Sequence, residues 1–202
     1  MLSDYDGEMA VRYARAVVEA HVAGRAMPEF EFGDVFNKKM GAFVTLNTYP
    51  DKMLRGCIGI PEPVMPLKDA IKEAAVSATH DPRFPPLGKS ELDKIVVEVT
   101  ALTPPQPIEV ENPADYVKHI KVGRDGLIAE KGFWRGLLLP QVPVEYGWDE
   151  EQFLSQTCVK AGLPYDAWMD GETKIYRFQG EVFSEVEPYG EVKRVELEDE
   201  EL

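Results

Sequence analysis

Cysteine and histidine are scarce: Cys57 and Cys158 are the two thiols, and His21, His80 and His119 the three imidazoles, in 202 residues. Two lone thiols give no disulfide framework. No CxxC, HxxxH or His–carboxylate pattern stands at ligand spacing, so neither a metal site nor a cofactor is expected. No apolar run approaches the roughly 20 residues of a membrane helix. The acidic start Met1-Leu2-Ser3-Asp4-Tyr5-Asp6 lacks the basic and apolar parts of a signal peptide. The expectation is a cytoplasmic protein with free thiols. Positive charge is short as well, 22 Lys and Arg against 36 Asp and Glu, for a net −14. A duplex binder must neutralise phosphates with Lys and Arg, so nucleic acid is not expected as the main partner, leaving only a local basic groove as a route to it.

What is present supports a packed core: 44% hydrophobic and 10% aromatic residues, with an ordinary 29% charged. At 22.7 kDa one domain, with two lobes, is the default. Residues 7–24 carry an apolar stripe through Met9, Tyr13, Val17 and Ala20, predicting a helix capped by Asp6 and ended by Gly24. Residues 41–47 and 53–59 read as two strands joined by a turn at Tyr49-Pro50-Asp51-Lys52. A second helix is predicted from Pro66 to Thr79, stopped by Asp81-Pro82, because a residue before proline disfavours the helical region. Residues 95–102 form the clearest strand. The proline-rich Thr103-Pro104-Pro105-Gln106-Pro107 is the best lobe boundary. Beyond it come a short helix from Asn112 to about Ile120, strands at 127–130 and 136–140, a helix capped by Asp149 and running to Lys160, and a final strand at 173–183. Residues 196–202 read as a frayed, solvated acidic tail. Strands joined by both hairpins and helices give an α+β class. The larger lobe, a sheet flanked by helices, is expected at about 1–110 plus 170–195, and a smaller α+β lobe at about 111–169.

Candidate chemistry gathers in two stretches. In Leu54-Arg55-Gly56-Cys57-Ile58-Gly59 a cysteine stands between two glycines, with an arginine two positions upstream. Small neighbours leave the sulfur approachable, and a nearby guanidinium favours thiolate. In a regular strand Arg55 and Cys57 share a face. The bland alternative is a small buried residue in a tight strand. The second stretch, Thr79-His80-Asp81-Pro82-Arg83-Phe84-Pro85-Pro86, can supply a base (His80), a carboxylate (Asp81) and an anion clamp (Arg83), or merely a stiff corner with local caps. Cys57, His80 and Asp81 are the catalytic candidates. Arg55, Gly56, Gly59, Arg83 and Phe84 are the ligand-binding ones, with Arg135 a further arginine that could meet an anion. Cys158, inside a helix, reads as packing.

These stretches resemble the AMMECR domain family. The hexapeptide Leu54 to Gly59 is its hallmark. Gly41 to Leu46, Asp81 to Pro86, Gly136 to Val142, Phe153-Leu154, Cys158 to Leu163 and Trp168 also match, so the likeness runs from about residue 8 to 185. The resemblance implies a two-lobed α+β fold with the hexapeptide in an inter-lobe groove. The density of motifs there and the arginines among them lead us to expect a small, anionic ligand. It also implies company with a Memo-type dioxygenase-like protein and a radical SAM protein. It implies no particular reaction. Three readings stay open: a cysteine enzyme, a nucleotide- or RNA-binding module, and a non-catalytic interaction partner.

Overall fold

The computed structural model describes residues 2–195, and the acidic 196–202 segment expected to be a tail lies outside them. The chain divides into two compact units, residues 2–104 with 181–195, and residues 105–180.

The first unit opens with α1 (Asp4–Ala23), which ends at Gly24 in the left-handed region. Its cap is Ser3 rather than Asp6. The Ser3 hydroxyl accepts from the Asp6 N–H while the Asp6 carboxylate accepts from the Ser3 N–H, so Asp6 is the third residue of a capping box. Strands β1 (Ala42–Thr48), β2 (Leu54–Ile60) and β3 (Ile95–Leu102) are antiparallel, with β1 in the middle and helix α2 (Leu67–Ala78) inserted between β2 and β3 in sequence. Alternation decides what each face does. Ala42, Val44 and Leu46 of β1 and Val97, Val99 and Ala101 of β3 are buried together with Val11, Ala14 and Val18 of α1 and Leu67, Ile71 and Ala75 of α2. Phe43, Thr45, Glu98 and Thr100 alternate with them and therefore lie on the sheet's other face, each partly exposed.

The rest of this unit comes from the far end of the chain. The last part of β7 (Lys174–Glu185) pairs with β8 (Val192–Val195), a strand absent from the sequence-based expectation, which ended at 183. Glu185 reaches into the core and meets Arg15 of α1 in a fully buried pair, the two side chains 0% and 5% exposed. Arg15 also donates to the carbonyls of Leu92 (2.8 Å) and Ile95 (2.7 Å), and Glu185 accepts from the Val97 N–H (2.9 Å). Every group of this pair is satisfied, as a buried charge requires.

In the second unit, β5 (Asp125–Lys131) is the middle strand. It pairs with β6 (Trp134–Leu138) through a tight hairpin and with the first part of β7. The two-residue β4 (Gln106–Pro107) also joins β7. Trp134 and Arg135, which fell between the two expected strands, are strand residues. Helices α3 (Gln141–Tyr146) and α4 (Glu150–Lys160, capped by Asp149 as expected) follow, and the predicted helix after Asn112 is a 3-10 turn over Pro113–Lys118. Leu127, Phe153, Leu154, Cys158, Trp168 and Ile175 form its core, with the Trp168 indole N–H bonded to Ser155 Oγ at 2.9 Å.

Candidate functional site

The hexapeptide is strand β2, at the edge of the sheet. Its register against β1 is regular from Gly56 to Ile60 and then shifts: Gly56 faces Leu46, Leu54 faces Asn47, and Arg55 is the extra residue of a β-bulge. The bulge takes Arg55 out of the alternation that was expected to set it beside Cys57. Its guanidinium instead grips Glu91 through Nε (2.8 Å to Oε1) and Nη2 (3.1 Å to Oε2). That grip, with a further bond from the Gly88 N–H, lowers the Glu91 pKa against the opposing effect of burial. Arg55 therefore does not serve as the cation at the thiol.

From Gly56 onward β2 alternates. Gly56, Ile58 and Ile60 turn to the helices, and Cys57 and Gly59 to the other face. A Cβ on Gly56 would lie 2.4 Å from the Ala78 carbonyl oxygen, at the end of α2. A Cβ on Gly59 would lie 2.2 Å from the Phe43 ring, which occupies that space across the strand pair. Both glycines, expected to present backbone to a ligand, are thus required by close packing within the protein.

Cys57 is half-buried. Its N–H donates to Asp81 Oδ2 (2.9 Å) and its carbonyl accepts from Arg83 Nη2 (3.2 Å). Both groups therefore point off the sheet edge, and the pair Thr45–Cys57 is of the non-hydrogen-bonded kind, in which side chains come closest. The Thr45 hydroxyl accordingly donates to Cys57 Sγ at 3.2 Å.

Asp81 is buried, its side chain 1% exposed. Besides the Cys57 N–H it accepts from the Arg83 N–H (3.0 Å), Arg83 Nε (3.0 Å) and Arg83 Nη2 (2.7 Å). The Arg83 bonds, helped by the two backbone N–H groups, hold its carboxyl well below the usual carboxylate range although burial pushes the other way. Arg83, with a side chain 55% exposed, has its own pKa raised first by Asp81 and further by the charge of Cys57. Of the two arginines, Arg83 is the one that contacts Cys57, through its bond to the carbonyl. The Phe84 ring lies beneath both arginines, 5.9 Å from the Arg55 guanidinium carbon and 5.7 Å from that of Arg83.

His80 is exposed and its ring is engaged elsewhere. Nδ1 lies 2.8 Å from Thr79 Oγ1, and the ring meets that of His21 edge-on at 5.0 Å. It makes no hydrogen bond to Cys57. Arg135 belongs to the second unit and pairs with Glu130. Cys158 is fully buried, with burial raising its pKa to about 11. No group of three or more His, Cys, Asp or Glu side chains able to hold a metal occurs among the described residues. The sequence reading missed Thr45, which touches the sulfur, and Glu91, which holds Arg55.

The site is thus an edge-strand thiol flanked by a buried aspartate and the arginine it holds, on an α+β scaffold. The AMMECR1 family profile matches residues 11–183, and the chain belongs to that family. Protein MJ0810 of Methanocaldococcus jannaschii is 60% identical over 193 residues, 95% of this chain and 96% of that protein. A Methanococcus aeolicus protein is 51% identical over 95% and 96% of the two chains. The crystal structure of the uncharacterized protein PH0010 from Pyrococcus horikoshii, 52% identical, superposes with a TM-score of 0.73 over 96% of this chain and 98% of that one. Among the described residues no helix is long and apolar enough to cross a membrane.

Proposed function

We propose that the sheet face around Cys57 binds a small anionic ligand and that the Cys57 thiolate is the nucleophile that meets it. The observation that carries this reading is the placement of the sulfur, half-buried and accepting a hydrogen bond from Thr45, on a residue whose carbonyl is held by Arg83. A thiolate gains from a hydroxyl donor and a nearby guanidinium. Arg83 suits an anion because its Nε and Nη2 are fixed by Asp81 while most of the side chain faces water. In this reading Asp81 is a positioning residue. Its low pKa keeps it ionised, and its oxygens already hold Cys57 and Arg83, which makes it a poor carrier of protons. Arg55, Phe84 and the two glycines shape the platform, and His80 stands outside the proton path.

The test is the pH dependence of Cys57 alkylation by iodoacetamide, followed by peptide mass spectrometry, with buried Cys158 as the internal control. Cys57 should label in the folded protein at a rate that rises with pH, while Cys158 stays unlabelled until the protein is denatured. Inorganic phosphate should slow labelling in the native protein and lose that effect in Arg83→Ala. Labelling of Cys57 only after denaturation would sink the proposal.

A further inference from the structure

A cavity of about 480 Å³ lies in the second unit, between the β5–β6 hairpin and the loop that follows α4. That volume is within the range of small-molecule sites, which are mainly apolar with a few placed polar groups. Trp134, Leu163, Ala167 and Met169 form its apolar lining, and Lys131, Asp166 and Asp170 supply the polar groups. The aromatic wall is held in place. Trp134 stands directly opposite Lys131 across the strand pair, so the two share a face of the sheet. The indole lies against Gly162, where φ is +67 to +84° territory that suits glycine at +80° and where a Cβ would come within 2.9 Å of the ring. The indole is nonetheless 59% exposed, and Met169 is 46% exposed. Leaving so large an apolar ring in water forgoes the gain from covering it, which a bound ligand recovers.

The polar groups decide the sign of charge that the cavity accepts. Lys131 Nζ lies 2.7 Å from Asp170 Oδ2 and 2.8 Å from Glu172 Oε2. Asp170 is further fixed by the N–H groups of Glu172 (2.8 Å) and Thr173 (2.9 Å). The one ammonium is therefore matched by two carboxylates, and the three groups together carry a net negative charge. Asp166 adds another, and its carboxylate makes no hydrogen bond or ion pair among the described residues. An anionic ligand meets this surplus of carboxylates with Lys131 already engaged. A cationic one gains from the carboxylates and from the face of the indole, which attracts positive charge.

We infer that this cavity binds a small organic amine or quaternary ammonium ion, with its cationic head at Trp134 and Asp166 and its apolar body against Leu163, Ala167 and Met169. The site involves no residue of the thiol reading, and its test is independent of Cys57.

The experiment is a ¹H–¹⁵N NMR titration of the full chain, read at the tryptophan indole N–H signals and the Ala167 amide. The probes are benzyltrimethylammonium, the neutral 3-phenyl-1-propanol and the anionic 3-phenylpropionate. The buried Trp168 indole, bonded to Ser155, reports that each variant is folded. Benzyltrimethylammonium should move the Trp134 signal, leave that of Trp168 in place, and bind roughly fivefold or more tightly than the alcohol, the scale of a cation–π contact added to an exposed ion pair. Trp134→Ala should weaken its binding roughly tenfold. Asp166→Asn should weaken it roughly two- to fivefold, and Lys131→Met should tighten it by a similar factor, because Asp170 and Glu172 lose their counter-ion. A Trp134 signal that no probe moves overturns the cavity as a binding site. Equal or tighter binding of the alcohol or the propionate, or loss of the cation in Lys131→Met, overturns the preference for positive charge. Tighter binding of a blocked Gly-Gly-Lys-Gly-Gly peptide than of benzyltrimethylammonium assigns the cavity to a partner protein's lysine and overturns the small ligand.

Discussion

Asp81→Ala should destabilise the first unit by about 2–4 kcal/mol at neutral pH. The substitution removes the acceptor of two backbone donors, the N–H groups of Cys57 and Arg83. Each orphaned donor costs about 1–3 kcal/mol where water is excluded. Arg83 is more than half exposed, so its guanidinium finds water and the total falls below the sum of the upper limits. The pH dependence carries a definite sign. Asp81 has a folded pKa below its unfolded value of 3.8, so its contribution is complete above that value and is lost as pH falls through the folded pKa. The gap between native protein and variant should stay constant from neutrality to about pH 5 and close only in strong acid. The three tryptophans all lie in the second unit, so the assay is urea unfolding followed by far-UV circular dichroism, paired with hydrogen exchange at the Cys57 amide. That amide should lose protection in the variant. A gap under about 0.5 kcal/mol at pH 7, the size of an ordinary surface change, would refute the clamp, as would unaltered exchange at Cys57.

Arg15→Ala should cost about 3–5 kcal/mol, because it leaves the Glu185 carboxylate buried and unpaired; thermal or urea unfolding measures it. Gly59→Ala and Gly56→Ala should each destabilise, by about 1–3 kcal/mol or more, and differ in rescue. Gly59→Ala should recover with Phe43→Ala, since a side chain is the obstacle, whereas Gly56→Ala meets the Ala78 carbonyl and should recover with no side-chain change. Failure of Phe43→Ala to rescue Gly59→Ala, or its rescue of Gly56→Ala as well, would show that the packing account is wrong.

Periodicity located the elements of the first unit to within a few residues. The stripe through Tyr13 and Val17 is the buried face of α1, and β1, β2 and β3 lie within a residue or so of where alternation placed them. Shorter pieces were illegible for physical reasons. The two residues of β4 and the four of β8 are too few to show a period, and both form by pairing with β7, a tertiary event. The site was legible as a set of residues and much less so as a set of contacts. Arg55 and Cys57 share a face only if the strand is regular, and no local pattern announces the bulge. Asp81 and Arg83 find each other two residues apart because the loop turns there, while the strand they clamp is far away in sequence. Thr45 was readable in principle, as a polar residue alternating with a buried valine and leucine. Joining it to Cys57 needs the register of β1 against β2.

The buried Arg15–Glu185 pair also bears on the order in which the protein assembles. Residues 15 and 185 are separated by the whole of the second unit. Segments synthesised early usually fold early, but here the N-terminal helix and the three-stranded sheet would close over an arginine whose partner emerges only after about 170 more residues, most of a long-range loop. Until then the guanidinium has the Leu92 and Ile95 carbonyls but not its carboxylate, and burying it without that counter-ion is costly, so the packing of α1 against the start of β3 is completed by Glu185. The first unit to be made is therefore the last to be sealed, and the second unit, continuous from 105 to 180, can complete its core beforehand.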